Sequence, residues 1–263
     1  MSRSDTVDGA RMAVGTFTVW PVRVERVDRP VAGWAMRWAP VLGALLGAVT
    51  ASLATAGAWW GWSAPLAALL ATGLGAALTR GLHLDGLADL ADGLGSGRPA
   101  EGALEVMRRS DIGPFGVITL LVTVGAQVLA LGQLVGASPW AALAGAVTAG
   151  ATGRLAVTLA CTPRVPSARP EGLGAFVAGT VRPRSAAVCA AGVLALCALG
   201  LTHSPGFAAA CAAGAVCGLA AAGALLRRAV RRLGGITGDV LGALVETAAT
   251  TSLLVTAAAL TWV

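Results

Sequence analysis

Seven apolar stretches run through the chain, at about 38 to 60, 64 to 82, 114 to 136, 139 to 161, 186 to 202, 205 to 226 and 239 to 262. Most approach the roughly 20 residues that a helix needs to cross a bilayer. The pattern predicts an all-α fold, a polytopic membrane helix bundle of about seven transmembrane helices, with 1–263 as a single integral membrane domain. The stretch at 186 to 202 is the shortest, and with its neighbour it also reads as a tight helical hairpin. The connections alternate in kind. Gly61-Trp62-Ser63, Gly136-Ala137-Ser138 and Thr202-His203-Ser204 are short and carry no arginine. The others are longer and hold nearly all the charge. They are the N-terminal segment 1–37 with Arg23, Arg26, Arg29 and Arg37, the acidic motif region 83–113, residues 161 to 184 with Arg164, Arg169, Arg182 and Arg184, and the run Arg227, Arg228, Arg231 and Arg232. By the positive-inside rule this second set is expected in the cytoplasm, with the N-terminus inside and the C-terminus outside. Residues 1 to 15 mix Arg3, Asp5, Asp8 and Arg11 without a long apolar core, unlike a secretory signal. The first span is therefore expected to direct insertion into the cell (inner) membrane.

Composition agrees with this and removes the soluble alternatives. Of 263 residues, 56% are hydrophobic and 12% charged, against about 25% charged in soluble proteins. The 36 glycines suit close approach of membrane helices. The net charge of +6 comes from 19 basic residues, all arginine, against 13 acids. Placed in loops, those arginines mark topology and call for no nucleic acid. Cys161, Cys189, Cys197, Cys211 and Cys217 lie in or beside apolar stretches without metal-ligand spacing and read as small packing residues. Trp20, Trp34, Trp38, Trp59, Trp60 and Trp62 read equally as interfacial anchors or ring-stacking residues.

The scarce acids carry the chemistry. In Arg80-Gly-Leu-His83-Leu-Asp85-Gly-Leu-Ala-Asp89-Leu-Ala-Asp92-Gly, the three aspartates fall within about 60° of arc on one helical face. Like charges so placed repel unless a cation sits against them. Hard oxygens without Cys suit Mg²⁺ or Mn²⁺, so Asp85, Asp89 and Asp92 are candidate metal ligands; a solvated acidic face is the plain alternative. Glu101, Glu105 and Arg108 read as a salt-bridged surface helix, whereas Arg108, Arg109 and Ser110 offer a candidate anion pocket. Arg154 lies inside the fourth stretch, 15 residues beyond Pro139 and so near the cytoplasmic boundary, with Arg80 at comparable depth. Asp239 opens the last stretch, as a helix cap or a site acid. Glu246 follows on the same face, two turns into an apolar helix, where an acid is a functional candidate by default. Topology thus gathers Asp85, Asp89, Asp92, Asp239, Glu246, Arg80 and Arg154 near one expected interfacial cavity, the arrangement a divalent-metal, phosphate-handling site requires.

The sequence resembles the cobalamin synthase family, adenosylcobinamide-GDP ribazoletransferase. The resemblance is carried by Gly81-Leu-His83-Leu-Asp85-Gly-Leu-Ala-Asp89-Leu-Ala-Asp92-Gly, Val106-Met-Arg-Arg-Ser110-Asp-Ile-Gly113-Pro-Phe-Gly116, Gly153-Arg154, Arg169-Pro-Glu171-Gly-Leu-Gly174 and Gly234-Gly-Ile-Thr-Gly238-Asp239-Val-Leu-Gly242, in the family's order. It departs at Arg109, where many members have an acid before the serine, and at Ala249 and Thr250, near which many carry a second acid. The resemblance implies a Mg²⁺-dependent membrane phosphotransferase that joins adenosylcobinamide-GDP to α-ribazole or its 5′-phosphate and releases GMP. It adds His83 and Arg169 to Arg80, Arg108, Arg109, Ser110 and Arg154 as expected substrate-binding residues. Asp92, Asp239 and Glu246 are the expected catalytic acids, with Asp92 or Asp239 accepting the proton of the ribose hydroxyl. The membrane bilayer is an expected partner, and a homo-oligomer is left open. Two other readings are a phosphotransferase resembling the CDP-alcohol enzymes, acting on a nucleotide-activated lipid, and a cation-coupled transporter.

Overall fold

The computed structural model describes residues 3–261. Positions 1–2 and 262–263, the extremes of the expected N-terminal segment and last span, lie outside the described residues. The chain forms eleven α-helices among the described residues: α1 (Arg3–Phe17), α2 (Arg29–Trp59), α3 (Ala64–Leu78), α4 (Leu82–Gly95), α5 (Ala100–Val106), α6 (Pro114–Ala137), α7 (Pro139–Ala160), α8 (Leu173–Val177), α9 (Pro183–Leu196), α10 (Pro205–Leu233) and α11 (Gly238–Ala258). Helix makes up 79% of the chain, and the described residues form no strands. A single bridge pairs Ser167 with Ile236.

Among the described residues six elements are long and apolar enough to cross a membrane: α2, α6, α7, α10, α11, and α9 extended by a 3₁₀ stretch to Thr202. A seventh arises if α3 and α4 count as one span, but they are bent by 88°. The cause is local. Thr79 closes α3, and Arg80 and Gly81 then both take left-handed backbone, with φ of 56° and 66°, a conformation that ends a helix and turns the chain. With 15 residues, α3 is about 22 Å long. Beyond the bend, α4 meets the first turns of α6 and α11, through Asp92 at Gly113 and Gly116 and Gly86 at Asp239. The aspartate helix therefore lies across the end of the bundle, outside the spanning helices.

Two boundaries differ from the hydropathy pattern. The N-terminal segment is no mere tail: Asp8, Gly9, Met12, Ala13 and Phe17 form a buried helical stripe on α1 and join the core that α2 buries. Helix α2 begins at Arg29, where the Asp28 carboxylate accepts the Val31 N–H at 3.0 Å and Pro30 occupies the first turn. The Arg227–Arg232 run is the last turns of α10, where cations meet the negative end of the helix dipole.

Small residues set the helix spacing. A Cβ at Gly43 or Gly47 of α2 would strike the α7 backbone at Gly150 or Ala146, and one at Gly214 or Gly218 of α10 would meet the α11 carbonyls of Ser252 or Ala248. These are small-xxx-small seams, with backbones in direct contact. Outside them, Leu121, Val122, Leu129 and Val188 are each about two-thirds exposed, which for apolar side chains means a lipid-facing surface. The loops segregate by charge. At one end Arg29 donates to the Ala175 and Ala178 carbonyls, Arg232 to the Arg98 carbonyl and Arg169 to the Leu104 carbonyl. At the other, Ser138 and His203 of two arginine-free turns meet at 3.1 Å, beside exposed Trp59, Trp60 and Trp140. The protein is thus a multi-pass membrane bundle with its arginines at one end.

Candidate functional site

A cavity of about 300 Å³ opens at the arginine-rich end, lined by His83 and Asp85 of α4, Arg169 and Glu171 of the α7–α8 loop, and Asp239 of α11 among others. Three local devices build it. First, Gly86 lets α11 seat against α4: a Cβ there would lie 2.8 Å from the Asp239 Cα. That contact brings Asp239 beside Asp85 and Asp89. Second, Thr237 caps α11, its hydroxyl accepting the Val240 N–H at 3.2 Å and donating to Asp239 Oδ2 at 3.2 Å. Asp239 is therefore not the cap, and its carboxylate is turned to the cavity. Third, the α7–α8 loop is pinned by the Ile236 N–H to the Pro166 carbonyl (2.9 Å) and the Ala168 N–H to the Ile236 carbonyl (3.0 Å). The pinned loop presents Arg169, whose guanidinium donates to the Leu104 carbonyl at 2.7 Å.

Electrostatically the acids crowd. The Asp89 carboxyl is pushed up to about 6, by burial first and then by Asp85, Asp239 and Asp92, with Arg169 opposing. Arg169 is lowered, first by burial and then by Arg108, while Asp239 and Asp89 oppose. Arg108 thus faces the same field from the exposed end of α5. The acids around Asp89 outnumber the one arginine that opposes them.

Asp92 has another task. Its Oδ2 accepts the Gly113 N–H at 2.7 Å and its Oδ1 the Gly116 N–H at 2.9 Å, so it caps α6 from outside that helix. A Cβ at either glycine would fall 2.5 Å from those oxygens, which is the structural reason for Gly-Pro-Phe-Gly. Both oxygens of Asp92 are therefore engaged by backbone donors, and among the described residues no three Asp, Glu, His or Cys side chains form a group that could hold a metal ion. Asp92→Ala is expected to strand two N–H donors and destabilise the protein by about 1–3 kcal/mol. Asp92→Asn, which keeps one acceptor oxygen, should recover part of that. Thermal unfolding in detergent with equal melting temperatures for wild type and Asp92→Ala would show that the cap carries no stability.

The expected single cavity is in fact two. Arg154 and Glu246 line a separate space between α2, α3, α6, α7 and α11. Asp239 and Glu246 do share a face of α11, but Gly242 between them receives the backbone of α4 at His83, and α4 partitions the space. His83 faces the open cavity and Leu84 the inner one. Gln127 of α6 donates to Glu246 Oε2 at 2.7 Å and to Thr250 Oγ1 at 2.8 Å. Gln127 went unmarked in the sequence, although an amide inside an apolar span is itself a signal. Thr237 and Glu171 stood inside motifs of the family resemblance but had no expected site role. Arg80 reaches neither cavity: its guanidinium lies 3.3 Å from the Thr16 carbonyl, tying α4's start to α1. Arg109 and Ser110 are exposed in the α5–α6 turn and line neither cavity. His83 is buried, its ring 5.9 Å from Phe17, with neither ring nitrogen hydrogen-bonded.

The apolar bundle and the acid–arginine cavity at one end define a multi-pass membrane protein with a charged polar site at that end. The chain belongs to the cobalamin-5-phosphate synthase family, which it matches over residues 9–257. It is 44% identical over 262 residues to the adenosylcobinamide-GDP ribazoletransferase of Frankia casuarinae, covering 94% of each chain. The proteins of the same name from Nocardioides sp. and Bradyrhizobium diazoefficiens are 42% and 41% identical, over 95% and 94% of this chain and 99% and 92% of theirs. No solved structure matches.

Proposed function

We propose that this membrane enzyme transfers the adenosylcobinamide phosphate moiety of adenosylcobinamide-GDP to a ribose hydroxyl of α-ribazole or its 5′-phosphate and releases GMP. The observation that carries the reading is the convergence of Asp85, Asp239 and Arg169 on one open cavity, with Asp89 close enough to feel all three charges, in a chain whose relatives bear that enzyme's name. The donor set fits Mg²⁺: all oxygen, crowded, and short of a full cage, as Mg²⁺ prefers one or two carboxylates with substrate phosphates and water completing the shell. Asp85 and Asp89 would hold the ion, while the Asp92 carboxylate also caps α6. Bound there, the ion would neutralise pyrophosphate charge.

The chain's own groups do the rest. Arg169, within electrostatic reach of Arg108, draws in the pyrophosphate and offsets charge on its oxygens. The acceptor hydroxyl forms a P–O bond at the phosphorus nearer the corrinoid, the P–O bond to GMP breaks, and Asp239 accepts the hydroxyl proton. The Thr237 hydroxyl holds the Asp239 carboxylate in place. The arginine-rich end faces the cytoplasm by the positive-inside rule, which opens the cavity to nucleotide. The test is GMP release by purified enzyme given adenosylcobinamide-GDP, α-ribazole and Mg²⁺, beside a trial with CDP-diacylglycerol. Turnover of the lipid alone would transfer the site to the alcohol phosphotransferase reading.

A pH dependence follows from Asp89. Its carboxyl, near 6, is protonated and neutral below that value and ionised above it. A divalent ion needs the ionised form, so its affinity is expected to rise about tenfold per pH unit up to roughly pH 6 and then level off. Calorimetric Mg²⁺ titrations at several pH values check this, and Asp89→Asn should flatten the slope.

A further inference from the structure

Arg37 of α2 and Arg182, at the start of α9, are like charges held close together without an acid between them. The ionisable groups that act on Arg37 are Arg182 and Cys189, and no carboxylate is among them. Among the described residues no ion pair includes Arg37, Arg182 or Arg184, and the buried Arg37 Nε has no hydrogen-bond partner. The two helices meet at this point: the Cys189 thiol donates to the Arg37 carbonyl at 3.7 Å. The Arg37 guanidinium lies over the Trp34 ring, 4.5 Å from its centroid. Topology calls for arginines at this end of the bundle, but not for this placement. Arg182 and Arg184 stand at the positive end of the α9 dipole, which no side chain caps. A cation there is disfavoured unless an anion joins it. The arginines in the last turn of α10 sit at the helix end that favours them.

Depth and surroundings decide which anion fits. With 31 residues, α2 is about 46 Å long, well beyond the roughly 30 Å of a bilayer's hydrocarbon core. Counted back from exposed Trp59 at the far end, the roughly 20 residues of a crossing end near Ala39, which leaves Arg37 at the headgroup boundary. Val41 and Leu45 continue its face one and two turns further on, and Val188 follows one turn after Arg184 on α9; all three are exposed. None of the three arginines lines the acidic cavity or the inner one. We infer that the crevice between α2 and α9 binds an anionic phospholipid, its phosphate held by Arg37 and Arg182 with Arg184 at the rim, and its acyl chains along the exposed apolar faces below. A zwitterionic lipid brings an ammonium group to the same arginines and binds less well. The site concerns how the bundle is held in its membrane and does not depend on the transferase reading.

The experiment titrates full-length, detergent-purified protein with phosphatidylglycerol or phosphatidylethanolamine of the same acyl chains and reads the lipid-bound fraction by native mass spectrometry. Phosphatidylglycerol is expected to bind the wild type about tenfold tighter or more. Arg37→Gln and Arg182→Gln should each weaken it by about fivefold, and the two together on the order of twentyfold, as removal of interfacial arginines does. Arg182 is exposed and belongs to no ion pair among the described residues, so its variant keeps the fold and decides the matter if the Arg37 variant is lost. Arg227→Gln with Arg228→Gln removes as much charge from the same end of the bundle and should change binding by less than twofold. Equal binding of the two lipids by the wild type overturns the inference, as does equal weakening by the α10 pair, which would mark a diffuse positive surface. Displacement of the bound lipid by inorganic phosphate at equal concentration overturns it too, since the site would then hold a free anion.

Discussion

Asp89→Asn is expected to lower GMP release on the order of a hundredfold or more, because it removes an anionic oxygen from the proposed ion site without changing side-chain volume. The loss should appear in kcat and in the Mg²⁺ concentration needed for half-maximal rate. Folding should not suffer. Asp89 sits among Asp85, Asp239 and Asp92 with only Arg169 opposing, so neutralising it relieves repulsion, and the apo protein should melt no lower than wild type. Asp111→Asn is the matched control. Asp111 is exposed in the α5–α6 turn and lines neither cavity, so its variant should keep turnover within about twofold, as surface changes away from such features usually do. Equal activity of Asp89→Asn and wild type across a Mg²⁺ titration would remove the aspartate helix from the chemistry.

Gly86→Ala is expected to have the second large effect, from a single methyl group. Its Cβ would stand 2.8 Å from the Asp239 Cα and 2.9 Å from its carbonyl oxygen; both are backbone atoms and cannot swing aside. Helices α4 and α11 must separate at the point where their acids meet. Overpacking of this kind costs about 1–3 kcal/mol, and the separation moves Asp239 away from Asp85 and Asp89, so turnover should fall by about tenfold to a hundredfold, as small misplacements of catalytic groups do. Gly73→Ala, on α3 with nothing within 4 Å of the new Cβ, should leave both stability and turnover near wild type. A Gly86→Ala enzyme of normal melting temperature and rate would show that α4 and α11 need not touch.

The spans were legible because lipid imposes one rule along the whole chain: a bilayer-crossing segment must satisfy its backbone internally and present apolar side chains. Hence α6 and α7 begin and end within a residue or two of the apolar stretches at 114 to 136 and 139 to 161. Helix α1 was less legible, since its buried stripe carries Asp8 and Gly9 among Met12, Ala13 and Phe17 and so lacks a clear apolar signature. The chemical inventory was also readable. In a chain with 13 acids, three on one helical stripe and one inside a span stand out by their cost.

Helical periodicity reports which residues share a face and is silent about what that face meets. Asp85, Asp89 and Asp92 do share a stripe, yet Asp92 arrives at the N–H groups that open α6 and becomes a cap, while its neighbours arrive beside Asp239. Asp239 and Glu246 share a face of α11, yet the backbone of α4 at His83 fits against Gly242 between them and divides one expected cavity into two. By itself, then, the sequence determined a membrane bundle, its arginine-rich end and the stock of acids at that end. The tertiary structure alone decided which acids stay available and which are spent on backbone donors, because that choice depends on contacts between helices far apart in the chain.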